Sequence, residues 1–459
     1  MTELEFLEDC LESDQISDSD DVLEEHSGDF GLQAPSQVPG VVVYPESTED
    51  ASSVLEAAYE QGVPVTPYAM GTGLEGMAVP ARDGISLDVT RMDSIVSYQP
   101  EDLLIEVECG LVGSDVNERV RSDGLYFPCF PTSGDISSIG GMIANDASGQ
   151  RTIKYGEVHD WVRALEVVLP DGRVIKAGSK AAKTSSGYNL KDLFVGSEGT
   201  LGVVTKAVLE LTGRPEQRVR ARAIFSDLES ATEAVSDLIR SGVDLASVEL
   251  VDALSMTMAN AYLDMDLPEK PALFLEFHAD HHIQDEVNFA QSILETHGPE
   301  NVQAADRPED MESLWEARRE LAYAVASYRE NLTPVQPGDV TVPISKFPEL
   351  AHFVKELGEA NDYLMPCFGH AGDGNLHYTV LVDDDNPDHQ EGGVEIYNRV
   401  VEKALELEGT ATGEHGIGTG KKKFLRQEHG EHGVAAMQSI KNALDPRGLM
   451  NPGAIFPEP

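Results

Sequence analysis

Basic residues are scarce in this chain: 33 Lys and Arg stand against 81 Asp and Glu among 459 residues, a formal charge of -48. A surface of that sign repels phosphate backbones and anionic headgroups, so nucleic acid and acidic membranes are excluded as partners. The same self-repulsion weakens a compact state at low ionic strength and points to an acidic, salt-adapted (halophilic) surface. Cysteine is nearly absent too. Cys10, Cys109, Cys129 and Cys367 lie far apart with no C-x-x-C pair, which excludes an iron–sulfur cluster and a disulfide framework. Any redox centre must then be a bound organic cofactor or a metal on other ligands. No run approaches the roughly 18 apolar residues of a membrane span, and MTELEFLEDC lacks the basic-then-apolar pattern of a secretory signal. The expectation is a cytoplasmic protein without a transmembrane segment, at most peripheral at a membrane.

The length calls for at least two domains. Residues 1–36 read as an acid-rich, loosely docked lead-in. From Ser47 a βαβ start is expected: VVVYP is a strand, Ser47 is a cap, and Ala51, Val54, Leu55 and Ala58 share one helical face up to Gly62. Strands are expected at LLIEVEC and ALEVVLP, the latter turning at Asp171-Gly172 into a hairpin. Around TGRPEQ (212–217) the texture changes. Beyond it, strand-like runs alternate with helical ones near 227–240, 283–297, 309–327, 346–359 and 393–407, which predicts an antiparallel sheet with helices.

Three glycine-bearing loops punctuate the first part. PYAMGTGLEGMAVP (67–80) sets Gly71, Gly73 and Gly76 after a strand, where positive φ and bare backbone N–H groups suit a pyrophosphate. A tight turn alone would read the same way. The loop matches neither G-x-G-x-x-G before a helix nor a Walker loop, which argues against a nicotinamide Rossmann domain and a P-loop kinase. PTSGDISSIGGMIANDASGQRTIKYG (131–156) is too polar and glycine-rich for a buried strand, and a loop of that length usually has a function. FVGSEGTLGVVTKAVLEL (194–211) is the third.

With GTGLEG, SIGGMIANDASG, GYNLKDLFVGSEGTLGVVT, GHAGDGNLH, TGEHGIG and LDPRGLMNPG in this order, the chain resembles the FAD-linked 2-hydroxy-acid dehydrogenases over roughly residues 37–455. The closest likeness is to the cytochrome-type D-lactate dehydrogenases, with the glycolate oxidase flavin subunit and D-2-hydroxyglutarate dehydrogenase as relatives. The resemblance implies an α+β fold: a two-lobed FAD-binding domain of vanillyl-alcohol-oxidase type (37–214), a ferredoxin-like antiparallel-sheet cap domain (215–420), and a C-terminal segment (421–459) returning to the FAD domain. It implies a pyrophosphate on Ala69, Met70, Gly71, Thr72, Gly73 and Leu74. Pro131, Gly134, Asp135, Ser138, Gly141, Asn145, Gly149 and Tyr155 would lie along the flavin and ribityl chain, with Glu198, Gly199 and Val203 on the adenosine side and Asn451 among the cofactor contacts. Ala69, Met70 and Met77 depart from the family's usual small residues and would narrow the groove.

FGHAGDGNLHY (368–378) raises a separate question. A two-residue turn at Asp373-Gly374 would set His370 directly opposite His377, close enough for both rings to reach one cation. Paired histidines on a strand are also ordinary polar surface. TGEHGIG adds Glu414, and two His with one Glu is a ligand set that leaves coordination positions open for catalysis; a plain glycine turn is the other reading of that loop. The resemblance matches His370, His377 and Glu414 to divalent-metal ligands and His415 to the base. Zinc suits the set, and manganese or ferrous iron would also be accepted.

Oxidising a 2-hydroxy acid requires loss of the hydroxyl proton as hydride leaves C2 for flavin N5, which a cation and a neutral imidazole assist. The substrate carboxylate needs a clamp. SLWEARRE (313–320) offers Arg318 and Arg319 on a helix, where surface arginine is the alternative; the resemblance selects Arg318, with Asn375 as a second contact. By the resemblance, Pro337 stands about where the D-2-hydroxyglutarate dehydrogenases carry a lysine for their longer dicarboxylate, so the expected reaction is D-lactate to pyruvate, with glycolate or D-2-hydroxyglutarate as runner-up. Electrons would pass to a quinone, a cytochrome or another flavoprotein, and a homodimer is compatible. A zinc hydrolase leaves the glycine loops unexplained, and a flavin-binding subunit without turnover is the remaining alternative.

Overall fold

Ser47 opens the first long helix, Thr48–Gln61, its Oγ accepting from the Asp50 N–H at 3.1 Å, and Gly62 closes it at φ +75°. The computed structural model describes residues 5–31, 37–81 and 83–457. Strands Val41–Val43 and Val65–Tyr68 flank Ile85–Asp88 in parallel, and Ile16–Ser17 adds an antiparallel edge. Ala51, Val54, Leu55 and Ala58 of the helix are buried with Val41, Val43, Ile85 and Leu87.

The acid-rich lead-in corrects the expectation of loose docking. Leu7 and Leu11 are buried in this same core, and Ile16 and Ser17 pair with Val43 and Val42. His26 is buried, with Nδ1 2.8 Å from Val22 O and Nε2 2.9 Å from Asp88 Oδ2. Two leucines four residues apart supply the apolar area; the carboxylates around them face outward, and composition alone registers only the carboxylates. Residues 1–4 and 32–36 of the expected lead-in lie outside the described residues.

A second, antiparallel sheet has the order Ile95–Gln99, Leu104–Glu108, Val203–Glu210, Val162–Val168, Val174–Gly178. Its last pair is the hairpin expected at Asp171-Gly172: Gly172 has φ +83°, and the Gly172 N–H donates to Leu169 O at 2.9 Å. Residues 1–149, 156–214 and 414–459 form one compact unit, and residues 150–155 with 215–413 form a second. The changeover after Arg214 coincides with the change in sequence texture. The return falls between Gly413 and Glu414 rather than near residue 420, because the Ile417 and Gly418 N–H groups are held by Glu198 of the first unit.

The second unit is built on a seven-stranded antiparallel sheet in the order Asn301–Ala305, Gln217–Ile224, Ala272–Ala279, Ser247–Val251, Cys367–His370, Asn375–Asp383, Leu332–Thr341. Phe274, Val251 and Ile224 on one face pack with Trp315 and Leu321, which brings the helix Pro308–Arg319 onto that face. The expected helix at 309–327 is interrupted at Glu320, and Leu321–Ala326 continues as a separate short helix. Among the described residues, no helix is long and apolar enough to cross a membrane.

Candidate active site

Side chains alternate faces along a strand, so register decides which ones meet. In the second unit Glu249 pairs with His370, Phe368 pairs with His377, and His377 pairs in turn with Asp339; Asn375 pairs with Thr341. Residues two apart share a face, so Glu249, His370, His377, Asp339 and Asn375 occupy one row across four adjacent strands. The turn between the histidines spans Ala371–Gly374, four residues rather than two. The expected direct pairing of His370 with His377 is therefore off by two residues, which keeps both on one face: His377 opposes Phe368. The rings still meet edge to face, centroids 5.1 Å apart, with ring nitrogens within 4.8 Å of one another.

Two buried carboxylates that the sequence reading missed flank this pair. Glu249 is fully buried; its Oε1 accepts from His370 Nδ1 at 2.8 Å, and its Oε2 accepts from Arg318 Nε at 2.9 Å and Nη2 at 2.6 Å. Burial opposes its ionisation, but His370 and Arg318 hold its pKa below the usual carboxylate value. Asp339, also fully buried, accepts from Asn375 Nδ2 at 2.6 Å, Thr412 Oγ1 at 2.9 Å and the Gly413 N–H at 2.8 Å, and lies 3.8 Å from His377 Nδ1. The carboxylate behind His370 fixes its tautomer: a proton on Nδ1 makes Nε2 the lone-pair nitrogen a metal requires. The signal in sequence was a charged residue inside an apolar strand, Glu249 in ASVELV.

Arg318 is thus buried rather than a surface arginine, whereas Arg319 pairs with Glu312 and Glu320 at the surface. Asn375 Oδ1 is buried with no hydrogen-bond partner, as is Trp315 Nε1 one helical turn before Arg318. Buried polar atoms of this kind are uncommon unless a ligand completes them.

In the first unit, the loop 69–74 and the segment 131–149 come together: Thr72 Oγ1 is 3.1 Å from Ser137 Oγ. Gly71 has φ +61°, and a Cβ there would collide with the Tyr68 hydroxyl; a Cβ at Gly149 would lie 3.0 Å from Pro131 Cα. Ser138 caps the helix Ile139–Asn145, its Oγ accepting from the Gly141 N–H. Asn145 ends that helix with Nδ2 donating to Glu414 O at 2.6 Å and Oδ1 buried without a partner. Ala69 is half-buried, and Met70 and Asp135 are exposed, while Gly134 packs on the Phe130 ring.

Glu198, Gly199 and Asn451 cluster beyond the Val65–Tyr68 strand. Gly199 abuts Pro67, and Asn451 Nδ2 donates to Glu198 O at 2.7 Å and Met77 O at 2.9 Å. The Glu198 carboxylate does not point to an open groove: it accepts from the Ile417 N–H at 2.7 Å and the Gly418 N–H at 2.8 Å. Burial pushes its pKa up to about 7, against the pull of those two donors. With the Ser148 hydroxyl donating to Glu414 Oε2 at 3.1 Å, Asn145, Ser148 and Glu198 together hold the loop that carries Glu414 and His415. Val203 begins a buried sheet strand, paired with Val168. Tyr155 falls in the second unit, where its hydroxyl meets His278 Nδ1 at 2.8 Å and His278 Nε2 meets Glu276. The glycine-lined loops fit an extended cofactor with anionic oxygens, the orphaned Asn145 oxygen fits a hydroxyl or N–H donor on it, and the imidazole pair fits a divalent cation.

Residues 214–455 match the model of the FAD linked oxidases, C-terminal domain, and residues 39–178 match the FAD binding domain. The chain is 36% identical over 439 residues to the probable mitochondrial D-lactate dehydrogenase of Danio rerio, across 95% of this chain and 88% of that one. It is 34% identical over 457 residues to mitochondrial D-lactate dehydrogenase [cytochrome] 1 of Saccharomyces cerevisiae, across 96% and 77%. It is 35% identical over 422 residues to the glycolate oxidase subunit GlcD of Bacillus subtilis, across 91% and 89%. Among solved structures, p-cresol methylhydroxylase with substrate bound shares the fold at a TM-score of 0.80 and 16% identity, covering 98% of this chain and 95% of that one.

Proposed function

Because the chain belongs to the FAD-linked oxidases, an oxidoreductase family whose FAD-binding domain it carries, we propose that it oxidises a D-2-hydroxy acid, foremost D-lactate to pyruvate. The relatives named for D-lactate support that substrate, and the one named for glycolate makes glycolate the second candidate. The observation that carries the reading is the row of Glu249, His370, His377, Asp339 and Asn375 on one sheet face, with Arg318 joined to it through Glu249.

Arg318 takes the substrate carboxylate. Its Nε and one Nη2 proton are committed to Glu249, which leaves the Nη1–Nη2 edge for a two-pronged grip. Asn375 Oδ1 accepts the substrate hydroxyl or orients it. His370, His377 and Glu414 would hold a divalent cation, zinc first and manganese or iron next, which would supply stabilisation of the developing alkoxide. Glu414 follows directly on Gly413, whose N–H is fixed by Asp339. His415 removes the hydroxyl proton at its imidazole nitrogen. FAD, for which the chain carries the binding domain, would supply the hydride acceptor, and the electrons would leave to a non-nicotinamide acceptor, as the cytochrome named for the yeast relative suggests. Pro337, two residues before Asp339, brings no second cation for a longer dicarboxylate. Ala69, Met70, Gly71, Thr72, Gly73, Leu74, Pro131, Gly134, Ser138, Gly141, Asn145 and Gly149 line the cofactor's path; Glu198 serves it indirectly, through the loop it holds.

Anaerobic mixing with a panel of D- and L-2-hydroxy acids tests the reading. Bleaching of the flavin band by D-lactate, and not by L-lactate, is expected; a spectrum unchanged by every acid in the panel rejects it.

A further inference from the structure

We infer that Glu249 is a positioning residue that ties the metal ligand His370 and the carboxylate clamp Arg318 into a single unit. The inference rests on the ligand and clamp roles proposed above and adds the residue that couples them. Glu249 lies on the strand Ser247–Val251, directly across from His370 in the neighbouring strand, so the backbone ladder itself fixes their side chains face to face. Arg318 reaches the same carboxylate from the helix Pro308–Arg319. The side chains of Glu249, His370 and Arg318 are 0%, 4% and 6% exposed, so water does not screen them.

A carboxylate needed only for stability would be an odd choice here, since buried ion pairs are often replaced by apolar residues at no loss. The way one carboxylate serves both groups points to placement instead. Both of its oxygens lie within hydrogen-bond reach of His370 Nδ1, Oε1 at 2.8 Å and Oε2 at 3.0 Å, which aims the imidazole and raises its basicity toward a cation; Oε2 also takes both Arg318 Nε and Nη2 and so chooses which guanidinium edge remains for substrate. The Arg318 guanidinium carbon also sits 5.2 Å over the Phe368 ring, two residues from His370 on the same strand face, which limits its rotation. One anchor for both groups means that the cation and the bound carboxylate keep a constant separation, as chelation of a 2-hydroxy acid through its hydroxyl and carboxylate requires.

Glu249→Gln tests this, with thermal melting and flavin content as checks of folding. Zinc affinity of the EDTA-stripped protein, measured by competition with a chromogenic chelator, is expected to fall at least tenfold. The KM for D-lactate is expected to rise at least tenfold, with a smaller change in kcat. Zinc affinity and KM both within twofold of wild type would overturn the inference. If the Gln variant does not fold, Glu249→Asp keeps the charge but shortens the reach by one methylene, so either zinc affinity or KM must still move tenfold; if neither moves, the inference fails. Wild-type stripped protein that takes up no zinc would instead reject the ligand assignment, and this inference with it.

Discussion

Asn375 Nδ2 donates to Asp339 Oδ1 at 2.6 Å, so the Asp339 carboxylate turns the amide and leaves its oxygen buried without a partner of its own. Asn375→Ala removes that oriented acceptor, and kcat/KM for D-lactate should fall by roughly tenfold to a hundredfold, the worth of one hydrogen bond to a polar substrate group. Asn375→Asp sets a second carboxylate against Asp339 and against an anionic substrate, and its loss should be larger. Steady-state kinetics of the two variants checks the order.

His415→Ala should leave FAD bound and the protein folded while the rate of flavin reduction by D-lactate drops by about a hundredfold to ten-thousandfold, the usual contribution of a general base. Stopped-flow absorbance on the anaerobic protein measures it; reduction at the wild-type rate would assign the base elsewhere.

Glu198 carries a pH prediction. Its pKa rises from 4.5 to about 7 on burial, so the folded chain binds a proton that the unfolded chain has lost over that interval. The unfolded state then holds fewer protons, and stability falls as pH rises from about 4.5 to 7, by on the order of 3 kcal/mol if this group acts alone. Glu198→Gln should flatten that part of the curve. Chemical denaturation of both proteins at a series of pH values gives the comparison.

Removal of the proposed cation should stop turnover without removing colour. Dialysis against EDTA is expected to abolish D-lactate oxidation while the flavin band persists, and added zinc or manganese should restore it. Undiminished turnover in rigorously metal-free protein would refute the cation's role.

Much of this arrangement was legible in the sequence, and the parts that were not share a cause. The glycine loops and the two histidines declare themselves because their spacing is local. Glu249 and Asp339 do not: each lies far along the chain from the histidine it serves, and a single acid in ASVELV or QPGDVTV reads as a strand's solvent-facing position. The helix Ala253–Leu263 went unread because MTMANAY has no polar stripe; Met256, Met258 and Ala259 are all buried. The domain return near Glu414 was placed late, since nothing local reveals that Glu198 holds the Ile417 and Gly418 N–H groups.

The charge of -48 makes a last prediction. Raising potassium chloride from about 0.1 M, where the Debye length is about 10 Å, to several molar screens the repulsion among surface carboxylates. The melting temperature should climb by several degrees or more; a midpoint indifferent to salt would argue against an adapted surface.

The four-residue turn Ala371–Gly374 carries a consequence for natural variation. Because strand faces alternate with every residue, losing or gaining one position there would rotate His377 to the opposite side and strand it from Asp339. Length changes in this bend should therefore survive in descendants only by twos.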